Sequence, residues 1–421
     1  MHPSPSSHWQ GPLWALAILL AVLGMLGPFA IDTYLPAFAG ISQALGATPV
    51  EMQQTLSAYL AAFSFMSLFH GAIADSFGRR PVVLWGVAIF GLSSVGCALA
   101  QDINQLIAFR ILQGLSTGAG IVVSRTVIRD LFPPSQAQRV MSQVTIFFGI
   151  APAIAPMFGG WLFVWFGWRS IFWLLALIAV ALCMINYRFL PETLPSEHRQ
   201  SFRMGNLLRG YWQLGLDPRF VLLALASGVP FNGHFLYVLA APAFLGEHLG
   251  LAPTHFFLFF VLNISGIMGG AWVSGRLAGK VAPRQQIRYG FVIMAVAALV
   301  NLLANAVFTA QVSWAMFPPM VFAFGWALMV PSVTLLVLDL HPARRGMASS
   351  LQMFIGSGAN AVTAGVVAPF VMHSTLAMAA ASVLLLGVGL FGWVVIRRRW
   401  PAIGRMEDPV AAGRPRVSVG R

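Results

Sequence analysis

Long apolar runs restrict this chain more than any other feature. Leu13 through Ile31 is a run of nineteen residues without a charge, and similar stretches recur along the chain. A hydrocarbon core needs about 20 apolar residues per helix. Twelve stretches meet that need, near 13–38, 53–73, 82–100, 104–128, 140–163, 169–190, 220–245, 255–278, 288–309, 313–338, 346–371 and 375–396. The runs are continuous rather than short alternations, which favours helices over a barrel. Only 9% of the 421 residues are charged, 58% are hydrophobic and mean hydropathy is +0.78; a soluble domain carries about 25% charged residues. The expectation is an all-α protein with twelve transmembrane helices and the lipid bilayer as its surroundings.

The formal charge of +13 invites a nucleic-acid partner, but the placement of the charges explains it better. Of 25 Lys and Arg residues, 22 lie in or beside alternate connections: at 79–80, 129–139, 188–219, 276–288, 344–345 and from Arg397 onward. The other set of loops holds only Arg169. Cytoplasmic loops carry the positive excess, so both termini are expected in the cytoplasm and no nucleic acid is expected. Residues 1–12 lack the basic start of a cleaved signal, so helix 1 is expected to stay as an anchor. Cys97 and Cys183 fall inside apolar stretches and read as small buried residues.

The stretch 191–219 is the only long polar connection between apolar runs, and it divides the twelve into six and six. Comparing the halves at an offset of 206 aligns "PAF" at 36–38 with 242–244 and "RVM" at 139–141 with "RGM" at 345–347. The same offset aligns Phe148 with Phe354 and Gly159 with Gly365. Six-helix repeats of one hand suit a carrier whose halves rock about a midplane site. The expected organisation is a segment 1–12, a first half 13–190, a linker 191–219, a second half 220–396 and a basic tail 397–421.

The loop after helix 2 reads "GAIADSFGRRPVVL". Gly71 and Gly78 permit a tight helix–loop–helix turn, Asp75 can face a helix N-terminus, and Arg79 and Arg80 hold the loop on the cytoplasmic side. This stretch resembles the signature loop of the major facilitator superfamily. "FRILQGLSTGAG" at 109–120 resembles its helix-4 motif and "GIAPAIAPMFGGWL" at 149–162 its antiporter motif. With "IDTYLPAF", "RTVIRDLF", "GWRSIFWL" and "RFLPETL", the resemblance narrows to bicyclomycin-resistance-like drug:proton antiporters. In the second half "GRLAGKVAPR" aligns with 71–80, but Gly279 replaces Asp75 and Ala282 replaces Gly78.

Asp32 and Arg110 each lie about six residues from the outer end of their stretches, roughly 9 Å inside at 1.5 Å per residue. A charge at that depth is costly and usually faces a cavity. Depth alone fits either a functional pair or two interfacial charges that snorkel or cap. The resemblance implies the pair: Asp32 as the proton site and Arg110 as its partner. Burial favours a neutral carboxyl and a nearby guanidinium a charged one, so relative motion of the two can load and release a proton. The offset places Val238 and Met316 at the equivalent positions, so coupling is expected in the first half alone. Some related exporters carry a second acid two turns earlier; here that position is Gly24, which implies a single-carboxylate site.

Pro152 and Pro156 remove helical hydrogen bonds, and Gly159 and Gly160 allow close approach to a neighbour. The substrate-contact candidates are Tyr59, Phe63 and Gln113 in the first half, facing Phe231, Asn232, His234, Tyr237, Asn263 and Asn360 in the second. Aromatics and amides in an apolar cavity suit an amphipathic drug.

"GLSTG" at 114–118 fits a nucleophile elbow, but that device needs a strand–turn–helix setting. No H-E-x-x-H and no phosphate-binding G-x-x-x-x-G-K-[ST] occur, so no enzyme activity, catalytic residue, metal or cofactor is expected. The resemblance implies proton-coupled multidrug efflux and antibiotic resistance at a bacterial inner membrane, by a monomer, for substrates such as bicyclomycin, phenicols or sulfonamide-like compounds. The alternative is a carrier of the same fold that moves a sugar or amino-acid derivative.

Overall fold

The computed structural model describes residues 13–132, 134–199 and 202–404. The expected segment 1–12 and the tail beyond 404 lie outside them. The described residues are all-α. The earlier elements are α1 (Leu13–Asp32), α2 (Phe38–Leu45), α3 (Pro49–Ser67), α4 (His70–Phe77), α5 (Arg79–Leu99), α6 (Ile103–Leu131), α7 (Pro134–Phe166) and α8 (Arg169–Phe189). Next come α9 (Met204–Gly215), α10 (Pro218–Leu239), α11 (Phe257–Leu277), α12 (Pro283–Val307), α13 (Val312–Ala315), α14 (Phe317–Leu340), α15 (Arg345–Val362), α16 (Ala368–Val371) and α17 (Thr375–Arg399).

Among the described residues, ten helices are long and apolar enough to cross a membrane, or eleven if the bent pair α3–α4 is one span. The second expected span is broken, with α3 and α4 meeting at 50°. The fifth expected span falls in α7, a single helix over Pro134–Phe166, of which the part described closely enough to be counted is Ile150–Phe166.

Local chemistry sets several boundaries. Thr48 and Glu51 cap α3 reciprocally, with Pro49 at its first position. Asp102 accepts from the backbone N–H of Gln105 to start α6. The first expected helix also ends sooner than Phe38, because regular α1 stops at Asp32. The Thr33 hydroxyl turns back to donate to the Phe29 carbonyl at 2.6 Å, and a 3-10 turn, Leu35–Ala37, carries the chain on to α2. Pro36 lacks the N–H that would continue an α-helix. Asp32 therefore sits at a break inside the apolar stretch Trp14–Leu45.

The helices sort into two packing groups. In the earlier group α6 packs on α3, α5 and α1, while α5 packs on α8 and α1 on α7. In the later group α14 packs on α12, α11 and α10, and α10 also packs on α17. The groups meet along α3–α15 and along α7 with α11 and the turn before it. Polar side chains of α3 stitch the first seam by donating to carbonyls of the later group. Gln53 reaches Leu239 at 3.1 Å, Gln54 reaches Gly365 at 2.9 Å, Ser57 reaches Ala361 at 2.9 Å and Ser64 reaches Phe354 at 2.8 Å. Gly365 lies in a π-helical turn, Thr363–Val367.

The apolar cores show where the groups are fused. One buried cluster joins the earlier group to Leu236–Leu245, Phe259, Ala364 and Met372 of the later one. These residues lie at the end of the bundle away from Leu13, where α1 begins, and Arg399, where α17 ends. A second cluster, around Phe220, Phe291, Met329 and Trp393, is built from the later group.

Candidate functional site

Arg110 is fully buried on α6. Its Nη1 donates to the Ala30 carbonyl at 3.1 Å and to Gln113 Oε1 at 2.9 Å. Tyr34 and Tyr59 stack against the guanidinium with ring centroids 4.8 and 4.4 Å from its carbon. Cation–π contacts of this kind stabilise a desolvated charge without neutralising it. The Tyr59 hydroxyl donates to the Gly27 carbonyl at 3.2 Å and to Thr117 at 3.1 Å, and that of Tyr34 pairs with Thr55 at 2.9 Å. Gln113 Nε2 donates to Ser94 at 2.8 Å. The other edge of the guanidinium, Nε and Nη2, has no hydrogen-bond partner among the described residues.

Small residues of α6 make this close packing possible. A Cβ on Gly114 would fall 2.2 Å from the Tyr59 carbonyl, and one on Gly120 would fall 2.4 Å from the Leu23 carbonyl. Glycine here admits backbone from α3 and α1 against α6.

Asp32 is buried, 5% exposed, two residues beyond the carbonyl that holds Arg110. Asp32 and Arg110 form no salt bridge with each other. Among the described residues no cation lies within 4.0 Å of the Asp32 carboxylate, whereas Arg110 binds the backbone of the same helix end and the amide of Gln113. Gly159 of α7 lies against the same break: a Cβ there would fall 2.0 Å from the Thr33 carbonyl. Its neighbour Gly160 abuts the later group, with Pro253 O 2.6 Å from the position of a Cβ. Pro152 and Pro156 lie inside α7.

The loop at 71–80 differs from expectation in one respect. Asp75 pairs with Arg79 rather than capping a helix. The N-terminus of α5 is served by Glu192, whose carboxylate accepts from the backbone N–H of Arg79 at 3.0 Å and of Arg80 at 3.2 Å. An anion there satisfies donors that the helix leaves free. Gly78 has φ +101°, and a Cβ would lie 2.6 Å from Glu192 Oε2, so the glycine serves both turn and cap. Arg79, 8% exposed at its side chain, also reaches Asp130 at 3.4 Å, and Thr193 donates to that carboxylate at 2.8 Å. Arg80 donates to the Tyr187 carbonyl and lies over the ring of the same residue. Gly71 faces Val122 loosely, at 3.9 Å from a Cβ.

Two of the later-group candidates, Phe231 and His234, belong to one aromatic cluster. Phe231 packs edge-on to His234 at 4.7 Å and tilted against Trp326 at 4.7 Å. Trp326 is anchored by donating to the Ser227 carbonyl at 2.8 Å, and Gln352 donates to the Ser227 hydroxyl at 3.1 Å. Asn232 and Asn263 are buried, and among the described residues the Oδ1 atoms of both, like that of Asn360, meet no donor. Tyr237 is the exception, since it accepts from Asn301 at 2.7 Å and packs on Phe244 within its own group. Phe63 is half-buried near Gly118. A recess of about 770 Å³ lies elsewhere, beside Phe308 and Trp314, and none of the candidates lines it.

A family model described as Major Facilitator Superfamily matches residues 20–364. The chain belongs to that superfamily. An uncharacterised transporter of this type, YdgK of Bacillus subtilis, is 32% identical over 80% of this chain and 84% of its own length. The bicyclomycin resistance protein homolog of Haemophilus influenzae is 30% identical over 68% of this chain and 71% of its own. Among solved structures, a bacterial homologue of the human lysosomal transporter Spinster, inward-facing and unoccupied, superposes with a TM-score of 0.70. That match covers 94% of this chain and 99% of the other at 16% identity, a likeness of fold. The protein is thus a multi-pass, all-α membrane carrier of the superfamily.

Several residues of these sites escaped sequence reasoning. Glu192 lies in the "PETL" of 191–194 and Asp130 in the "RDLF" motif, but sequence distance hides that both converge on Arg79. Tyr34, two residues after Asp32, carried a usable signal as a polar aromatic at span depth. So did Gln352, an amide inside an apolar stretch. Trp326 carried none that separates it from a lipid-facing tryptophan.

Proposed function

We propose that this superfamily member exports small amphipathic drugs in exchange for protons, with Asp32 as the proton site and Arg110 as the cation that biases it. The observation that carries the reading is the buried Arg110 fork. One nitrogen is fixed to the helix end that bears Asp32, and the Nε–Nη2 edge is left free. A guanidinium edge of that kind is shaped for two oxygens. It can receive the Asp32 carboxylate in one conformation and a substrate oxygen, or none, in another. When the edge meets Asp32 the charged acid is favoured; when it leaves, burial favours proton uptake.

Alternating access needs the two halves, 13–190 and 220–396, to part at one end while closed at the other. The shared core and the seam of α3 supply closure at the end away from Leu13 and Arg399. With the termini cytoplasmic, as the basic loops indicate, this arrangement faces inward across a bacterial inner membrane. The name of the Haemophilus relative supports a drug as cargo. The donor-less amides of Asn232, Asn263 and Asn360 are the feature a hydroxylated metabolite would use instead.

Two measurements test the reading. A drug-susceptibility panel in an exporter-deficient host should show raised resistance to at least one amphipathic drug; no shift for any drug, with uptake of a sugar or amino-acid derivative, turns the assignment to the metabolite. Substrate-induced proton release from purified protein should vanish in Asp32→Asn, because the amide cannot ionise. Undiminished release moves the proton site elsewhere.

A further inference from the structure

Helix α9 lies in the connection between the two helix groups, and its apolar surface is wider than its protein contacts cover. Gly210 and Leu214 are buried, and a Cβ on Gly210 would fall 2.1 Å from the methyl of Met347 on α15. At 3.6 residues per turn, a second stripe runs beside this face. Met204, Leu208 and Trp212 lie on it, with Leu216 just beyond the helix, and these four are 44, 53, 71 and 65% exposed. The remaining arc is polar, with Asn206, Arg209 and Gln213, and Arg203 at the helix start. Exposed apolar side chains flanked by arginines on a short helix are the pattern of a helix lying in a membrane surface.

The position of α9 agrees with that pattern. Tyr211 donates its hydroxyl to the Leu68 carbonyl at 2.7 Å, directly after α3 ends at Ser67. Phe65, one turn back on α3, is 55% exposed. Gln213 accepts from Arg344, immediately before α15 begins. Helix α9 is thus tied to the break between α3 and α4 and to the residue just before α15, both followed closely by basic residues of the connections. The arginines beside the exposed stripe complement anionic headgroups. Tryptophan is enriched at membrane–water interfaces.

We propose that α9 is an interfacial helix whose partner is an anionic phospholipid surface. Met204, Leu208 and Trp212 enter the acyl boundary, while Arg203 and Arg209 meet the headgroups. The assignment is independent of the cargo and of the proton site.

The test uses the full chain with Cys97→Ala and Cys183→Ala. A spin label is placed at Leu208→Cys, with Trp212→Cys as a second site and Asn206→Cys as the polar-arc control. Each variant is reconstituted in phosphatidylcholine vesicles and in vesicles mixed equally with phosphatidylglycerol, after monodisperse elution in detergent shows it folded. Collision with oxygen is compared with collision with a water-soluble nickel chelate. Labels at 208 and 212 should show a several-fold loss of nickel accessibility against the label at 206. The loss should deepen with phosphatidylglycerol, and Arg203→Gln with Arg209→Gln should remove that deepening. Equal nickel accessibility at 206 and 208 puts the stripe in water and overturns the proposal. Shielding that ignores phosphatidylglycerol overturns the headgroup assignment. Spin–spin broadening abolished by unlabelled chain makes a second copy the occupant and overturns it as well.

Discussion

The two helix groups share a plan but differ in how they hold charge. The earlier group buries Arg110 between two tyrosines and builds a junction in which Arg79 meets Asp75 and Asp130 while Glu192 caps α5. At the offset of 206 the later group has Met316 in place of Arg110, buried in the shared apolar core, and in the loop that aligns 275–284 with 71–80 it has Gly279 in place of Asp75. Its buried polar groups are amides, hydroxyls and His234, several of them local hydrogen-bond partners. A duplicated framework with buried charge in one copy agrees with the proposal that ion handling belongs to that copy, with shape and neutral polarity left to the other. A buried charge is expensive; holding it in one copy confines the cost.

The largest expected effect comes from the paired positions 110 and 316. Arg110→Ala should abolish proton-linked export in inverted vesicles, because it removes the cation and leaves Gln113 without its donor. Arg110→Lys should recover little, since an ammonium lacks the fork. Met316→Ala should leave coupling intact and cost stability only, about 2–5 kcal/mol for a large-to-small change in a core. Export by Arg110→Ala at the normal rate would erase the asymmetry.

Next come the paired glycines. A Cβ on Gly159 meets the Thr33 carbonyl at 2.0 Å, which is backbone, while one on Gly365 meets Ser57 Oγ at 2.3 Å, which can rotate, and Ser57 Cβ at 2.8 Å, which must give way. Gly159→Ala should therefore cost about 1–3 kcal/mol and shift the chain beside Asp32. Gly365→Ala should lose one hydrogen bond across the α3 seam, about 1 kcal/mol. Thermal unfolding in detergent ranks the two; the reverse order contradicts the distinction between backbone and side-chain contact.

The signature loops give a smaller contrast. Asp75→Asn leaves Arg79 with Asp130 as its anion, at a cost of up to about 1 kcal/mol, enough to change populations several-fold. A reporter cysteine labelled from the basic side should react faster in that variant. Gly279 has φ +74° and no neighbour within 4 Å of a Cβ, so alanine there would strain the backbone rather than alter packing. Gly279→Asn, which tolerates that conformation, should leave labelling unchanged. Faster labelling in both variants would show that the loops gate alike.

These contrasts also mark how far the sequence could be read. Apolar length made the membrane class legible, and "GAIADSFGRRP" with "QGLSTGAG" made the superfamily legible, because those motifs are local. Depth placed Asp32 and Arg110 near one another, yet not their hydrogen bonds: the break after Asp32 depends on Thr33 and Pro36, and rise per residue assumes an unbroken helix. The Glu192 cap was hidden because its partners are more than one hundred residues away. Asp75 near a helix start was a sound local inference that a distant carboxylate overrode. The later-group cluster was half legible, since His234 and Phe231 stood out while their anchor Trp326 did not.

The smallest expected effect concerns how each group starts a helix beside the basic loops. Where α5 borrows Glu192 from beyond α8, α10 uses its own Asp217. The Asp217 carboxylate accepts from the backbone N–H of Arg219 at 2.9 Å and from the guanidinium at 3.0 and 2.9 Å, and His341 lies 3.2 Å away. Burial alone would raise this carboxyl, but the Arg219 hydrogen bonds and the neighbouring positive charges hold it, on balance, below the ordinary carboxylate range. The folded state thus binds this proton less readily than the unfolded chain. The resulting stabilisation is complete above the unfolded carboxyl's titration and fades as pH falls through the folded one. Asp217→Asn keeps an N-cap and removes only the charge. It should cost about 0.5 kcal/mol at neutral pH and nothing once acid has protonated the wild-type carboxyl. Thermal unfolding of the two proteins at neutral and acid pH checks this. A deficit of equal size at both pH values would mean that the side chain acts by its shape as a cap, and that α10, unlike α5, starts without help from a charge.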